Sequence, residues 1–269
     1  MKSHNAAPAY ASTTDENLAA ALSVWGIPII PDKSVDSRSG MGWKKILLGL
    51  ESVPWTEIGA VTERGEEEPL PTIKTNTILG LIRNNKLFEA DPHHPSLDVL
   101  RACRAADEIA KWTKDGADRV LVKVQGADRY QLVQRPLEPS IKTGIASLGT
   151  RDLKMAACLC VLGCQLLRLE GAAPNTLFVF GPVGFGTPPV VPTDLRVAFR
   201  NGSLAAENEQ HPLLWMMQGL SNRDAIRDMM RKKAAIILIR APDTGRASLV
   251  SENAKGRTMD RVKKHLRIL

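Results

Sequence analysis

The 269-residue sequence predicts an α+β protein of two tandemly duplicated units, each an antiparallel sheet with helices on one face. Two internal matches and a recurring turn pattern lead there. Thr13–Ile30 lies over Thr150–Leu167 at an offset of 137, with seven identities in eighteen positions. The block 77–133 lies over 194–250 without a gap at an offset of 117, with thirteen identities in 57 positions. Average composition gives roughly three or four in a block that long. The first unit is therefore placed at 13–133 and the second at 150–250, joined by a linker at 134–149. The first also carries an insertion of about twenty residues between 31 and 76.

Each unit opens on a helix, at 15–25 and 152–162. A Thr/Asp start supplies an N-cap, alanine and leucine fill the interior, and a glycine follows the end. Short apolar strands follow at 27–31 and 164–168. A second strand is predicted at Thr176–Phe180 between Pro174-Asn175 and Gly181-Pro182, with its counterpart at Lys45–Leu50. Segments 76–83 and 193–200 run into Arg83-Asn84-Asn85 and Arg200-Asn201-Gly202, whose Asn and Gly tolerate the left-handed conformation that stops a helix. His94-Pro95 and His211-Pro212 then open the longest helix of each unit, to about 114 and 231, because proline at the first position sacrifices no hydrogen bond. A hairpin closes each unit: 119–125 with 129–133, and 235–241 with 246–250. The first dozen residues and Thr62–Thr75 read as loose.

Apolar content of 43% and charged content of 24% are those of a folded chain. No apolar run reaches the length of a membrane span and no signal-peptide pattern opens the sequence, so a cytoplasmic protein without a membrane partner is expected.

Four features could carry chemistry, and each has a structural explanation. Cys158, Cys160 and Cys164 lack the further convergent ligands zinc needs, and Ala21, Ser23 and Ile27 stand at their places in the first unit; buried structural cysteines are expected. His94 and His211 recur but have no duplicated nucleophile or carboxylate beside them, so they are read as capping or exposed histidines. Gly181–Gly186 resembles a phosphate loop, yet Thr187-Pro188-Pro189 follows where helix amides would be required. Asp15 and Asp152 serve as N-caps. No catalytic residue, metal or cofactor is assigned, and an unrecognised enzyme is kept only as a second alternative.

Charge is the remaining lead. Residues 13–139 hold 16 Lys/Arg against 19 Asp/Glu, whereas 150–269 hold 18 against 10. Arg223, Arg227 and Arg231 recur at i, i+4, i+8, followed by Lys232 and Lys233. Arg240 and Arg246 lie on the second hairpin, where Lys123 and Arg129 are their basic equivalents in the first. Residues 251–269 read as a basic amphipathic helix, with Arg261, Lys263 and Lys264 on its charged side. These residues nominate a nucleic-acid partner held by sequence-independent phosphate contacts of the second unit. Aromatic content of 4% argues against base stacking. The alternative is a self-assembling or adaptor protein, joined head to tail through its acidic first and basic second units.

The second unit spells T-x-D-x3-A-A-x-L-x3-G-x2-L-L, from Thr150 and Asp152 through Gly163 to Leu167, and then T-x-F-x-F at Thr176, Phe178 and Phe180. This resembles a family of short uncharacterised α+β proteins from bacteria, their phages and mobile elements. The resemblance covers 150–231 and implies no activity. The first unit lacks the T-x-F-x-F strand.

Overall fold

A computed structural model describes residues 10–30, 46–49, 52–54, 72–115, 119–134, 148–185, 188–232, 236–240 and 246–251. The protein is mixed α and β, with small antiparallel sheets. In chain order the elements are β1 (Tyr10–Thr13), α1 (Glu16–Ser23), β2 (Ile29–Ile30), β3 (Ile46–Gly49), β4 (Ser52–Pro54), β5 (Thr72–Lys74), α2 (Thr75–Arg83), α3 (Leu87–Ala90), α4 (Pro95–Asp115), β6 (Arg119–Lys123) and β7 (Tyr130–Gln134). They continue as β8 (Leu148–Thr150), α5 (Leu153–Val161), β9 (Leu166–Glu170), β10 (Leu177–Phe180), α6 (Pro192–Asn201), α7 (Ser203–Glu207), α8 (Pro212–Lys232), β11 (Ile236–Arg240) and β12 (Ala247–Ser251). Apart from the β4–β5 pair, the order of elements in 10–134 recurs in 148–251.

The chain divides into two compact units whose boundaries differ from the sequence segments 13–133 and 150–250. Unit 1 comprises 1–94 with 221–269, and unit 2 comprises 95–220. Each therefore joins the opening elements of one segment to closing elements of the other, with α8 divided between the units at 220/221.

In unit 1 the strands order β1-β3-β2, all antiparallel, with Ser12 opposite Leu47 and Ile29 opposite Leu48. Asp15 caps α1 by accepting from the amides of Asn17 (2.9 Å) and Leu18 (3.2 Å). Gly26 takes the left-handed turn after the helix at φ 86°. Leu18, Leu22, Ile27, Leu48, Ile78 and Ile226 form much of the core. Full burial of each such side chain contributes about 1.5–3 kcal/mol. The hairpin β11–β12 returns to α1, where the Ala247 amide donates to the Val24 carbonyl at 2.7 Å.

In unit 2 the strands order β8-β10-β9, antiparallel, with a register shift at Val179/Phe180. Asp152 caps α5 through the amides of Lys154 (2.9 Å) and Met155 (3.3 Å). Helix α4 packs along α5, and β7 packs on both. Val99, Ile109, Leu159, Phe180, Leu213 and Met216 are buried there.

Three expectations change. Each opening helix is preceded by a strand, so Tyr10–Ser12 is not loose and Leu148–Gly149 is not linker. Thr72–Lys74 pairs with Ser52–Pro54, a strand pair inside the first insertion. Among the described residues the strands form separate two- and three-stranded sheets rather than one sheet per unit. Gln134 and Ser251, expected in the linker and the C-terminal helix, end β7 and β12, while 135–147, Thr62–Pro71 and 252–269 lie outside the described residues.

Candidate functional site

The basic stripe occupies the last three turns of α8, in unit 1. Arg223 is only 4% exposed, and its Nη1 donates to Asn17 Oδ1 at 3.3 Å. Arg227 forms a half-buried ion pair with Glu16 in the first turn of α1. These two guanidiniums therefore bind the opening of α1. Arg231 is exposed. Lys232 ends α8 and Arg240 ends β11, opposite Ala247. Arg246 is half-buried beside β12. Lys233, Arg261, Lys263 and Lys264 lie outside the described residues.

The charge contrast of the sequence is also redistributed. Unit 1 holds 22 Lys/Arg against 17 Asp/Glu, and unit 2 holds 14 against 12. The acidic start and basic end of the chain fall in one unit, where Glu16 meets Arg227. The first hairpin is engaged likewise. Arg129 Nε donates to Asp98 Oδ2 at 3.0 Å, a buried carboxylate that also accepts from Arg101 Nη1 at 2.9 Å. Lys123 Nζ lies 3.5 Å from Asp128 Oδ1.

The histidines separate. Nδ1 of His211 accepts from the Leu213 amide at 3.1 Å, so it caps the start of α8 as expected; burial and then the charge of Arg129 hold its pKa down. His94 is not an exposed histidine: it is fully buried beside Trp25, with ring centroids 5.2 Å apart. Burial pushes its pKa down to about 4. All four cysteines are buried and outside any disulfide, and desolvation raises the thiols of Cys158, Cys160 and Cys164, the last to about 12. Among the described residues no three His, Cys, Asp or Glu side chains are grouped to hold a metal ion.

Sequence reasoning missed the apolar surface of unit 2. Among the described residues the large hydrophobic side chains left exposed are Val122, Val183, Phe185, Val191 and Val197, all in this unit. Phe185 stands out at 57% exposure. Its loop is nonetheless fixed: its amide donates to Gly163 O (2.9 Å), its carbonyl accepts from Tyr130 Oη (2.7 Å), and the Gly184 amide donates to Val190 O (2.7 Å). A Cβ on Gly184 would sit 3.0 Å from Gly163 O, so only glycine fits the approach without displacement. The Gly181 amide donates to Gln165 O. Three amides of the supposed phosphate loop are thus satisfied internally, and the loop presents an aromatic side chain instead.

The helix beside it is incompletely covered. Helix α2 buries Ile78 and Leu79, whereas α6, at the same place in the element order, buries only Pro192 and leaves Val197 54% exposed. The sequence signal was available in Val183-Gly184-Phe185, but a glycine-rich string read for phosphate chemistry conceals its apolar residues.

An exposed aromatic on a pinned loop beside a half-covered helix is suited to binding an apolar surface, since little conformational freedom remains to be lost. Comparison with known proteins finds no family model, no curated protein and no solved structure that matches this chain.

Proposed function

We propose that the chain is a non-enzymatic assembly protein that self-associates through the apolar surface of unit 2. The observation carrying this reading is the exposed Phe185 on a loop held by two backbone hydrogen bonds and one from the Tyr130 hydroxyl. Aromatic anchors in rigid settings dominate protein interfaces. The reading keeps the self-assembly alternative drawn from the sequence and changes its contact. A head-to-tail joint between acidic and basic segments loses its main support when Glu16 and Arg227 pair within unit 1.

The wider setting belongs to the same proposal. We read the chain as an internal duplication whose two copies have exchanged their closing helix and hairpin, supported by the recurring element order, the matching strand orders and the twin Asp15 and Asp152 caps. The resemblance of 150–231 to phage and mobile-element proteins supports a bacterial cytoplasmic role.

A second reading, phosphate contacts with nucleic acid, is favoured by one observation: Arg231 is exposed at the end of α8, directly before Lys232 and Lys233. One experiment separates the two. Light scattering of the full chain is followed with increasing protein concentration, alone and with duplex DNA at low and moderate salt. Association without DNA that is lost in Phe185→Ser supports the assembly reading. A monomer that binds DNA with steep salt dependence supports the second and removes the first.

A further inference from the structure

We infer that the edge strand β9 is a self-complementary seam, pairing antiparallel with β9 of a second copy about a twofold axis at Leu169. The inference rests on the self-association reading above and specifies its register. Strand β9 is bonded to β10 on one side only; no described strand pairs with its outer edge. A bare edge of this kind accepts another strand unless something repels it.

The exposed side chains of β9 determine which strand that is. Arg168 and Glu170 stand two residues apart, both about half exposed, so they lie on one face of the strand with Leu169 between them. In an isolated copy Arg168 Nε donates to Glu170 Oε1 at 2.8 Å. Pairing about Leu169 sets Arg168 of each copy opposite Glu170 of the other, giving two cross-strand ion pairs related by symmetry. A shift by one residue would turn these side chains to the wrong face, and a parallel arrangement in register would oppose like charges. The charges that discourage indiscriminate edge pairing therefore permit pairing with a second copy in this register.

The apolar loop of unit 2 adjoins the same strand. The amide of Phe185 is bonded to Gly163 O, and that of Gly181 to Gln165 O, so the loop bearing Val183 and Phe185 flanks the start of β9. In unit 1 the corresponding strand β2 spans only Ile29–Ile30 and has no such charge pattern.

The test uses the full chain and two exposed, single charge reversals, Arg168→Glu and Glu170→Arg, with folding checked by circular dichroism. Sedimentation velocity should show that wild type dimerises. Each variant alone should dimerise at least about tenfold more weakly, because every cross-strand pair becomes like-charged. Mixed one to one, the variants should form a heterodimer near wild-type affinity, since each strand then opposes a strand of opposite charge. A pair acting only within its own strand would give no such rescue in trans. If the mixture associates no better than either variant alone while Phe185→Ser still weakens wild-type association, the seam is wrong and the assembly reading stands. A wild-type chain that remains monomeric at all concentrations overturns both.

Discussion

Asn222 on α8 donates through Nδ2 to Ser23 Oγ at the end of α1, at 2.9 Å and across 199 positions of sequence. The same amide donates to Ala247 O at 3.0 Å, while Oδ1 accepts from the Leu249 amide at 2.8 Å. One fully buried side chain thus joins the helix, the hairpin and the opening of the chain within unit 1. Its equivalent in the sequence alignment is Ala105, so comparison of the two segments did not distinguish this position.

Replacing Asn222 by Ala should remove all three bonds and leave buried backbone groups without them. The expected loss is about 2–4 kcal/mol, read from the midpoint of urea unfolding of the full chain. A change under about 0.5 kcal/mol would show that the network contributes little to unit 1.

Charge reversal along the basic stripe should separate structural from exposed positions. Arg223→Glu buries a carboxylate beside Asn17 and should destabilise unit 1 by about 3 kcal/mol or more. Arg231→Glu, at an exposed position, should leave the unfolding midpoint almost unchanged. Only Arg231→Glu is therefore a clean probe of phosphate contact. Equal midpoints for the two variants would contradict the placement of Arg223.

His94 should make folding sensitive to acid. Its pKa is near the usual 6.5 in the unfolded chain and about 4 in the fold, so the unfolded state binds the proton first as pH falls. The stability associated with neutral His94 is fully present above pH 6.5 and declines as pH falls toward 4. The loss by pH 4.5 is about 2–3 kcal/mol. His94→Gln should flatten that part of the stability profile measured by urea titration. An unchanged profile would place the sensitivity in other groups.

Helix approach in unit 2 should be intolerant of a single methyl. A Cβ on Gly219 would lie 2.2 Å from Cγ1 of the buried Val99, so Gly219→Ala requires α8 or that side chain to shift. The overpacking cost should be about 1–3 kcal/mol despite alanine's better helix propensity. The double variant Gly219→Ala with Val99→Ala should recover part of it, as measured by thermal unfolding.

The helices were legible because their signals are local. Asp15 and Asp152 cap where the Thr/Asp starts placed them, Asn85 adopts φ 56°, and Gly202 adopts φ 85° after α6. Both long helices begin at the prolines that marked them. Strands β1 and β8 were not legible, because three or four residues such as Leu148–Thr150 carry no usable alternation and exist through pairing with β3 and β10. The compact units were hidden for a different reason. Internal similarity shows which segments correspond, not which halves pack together, and the packing of α4 on α5 joins two of those segments. The same distinction explains the stripe: spacing put Arg223, Arg227 and Arg231 on one side of a helix, but tertiary packing closed Asn17 and Glu16 over the first two.

The measurement that bears most directly on self-association is sedimentation velocity of the full chain without nucleic acid, wild type beside Phe185→Ser, over a wide range of protein concentration. The account predicts a reversible, concentration-dependent species larger than the monomer for wild type. It predicts a shift of that equilibrium toward monomer, by about tenfold or more, for the folded variant. A wild-type chain that sediments as a monomer throughout, or a variant that associates as well as wild type, would contradict assembly through the Phe185 surface.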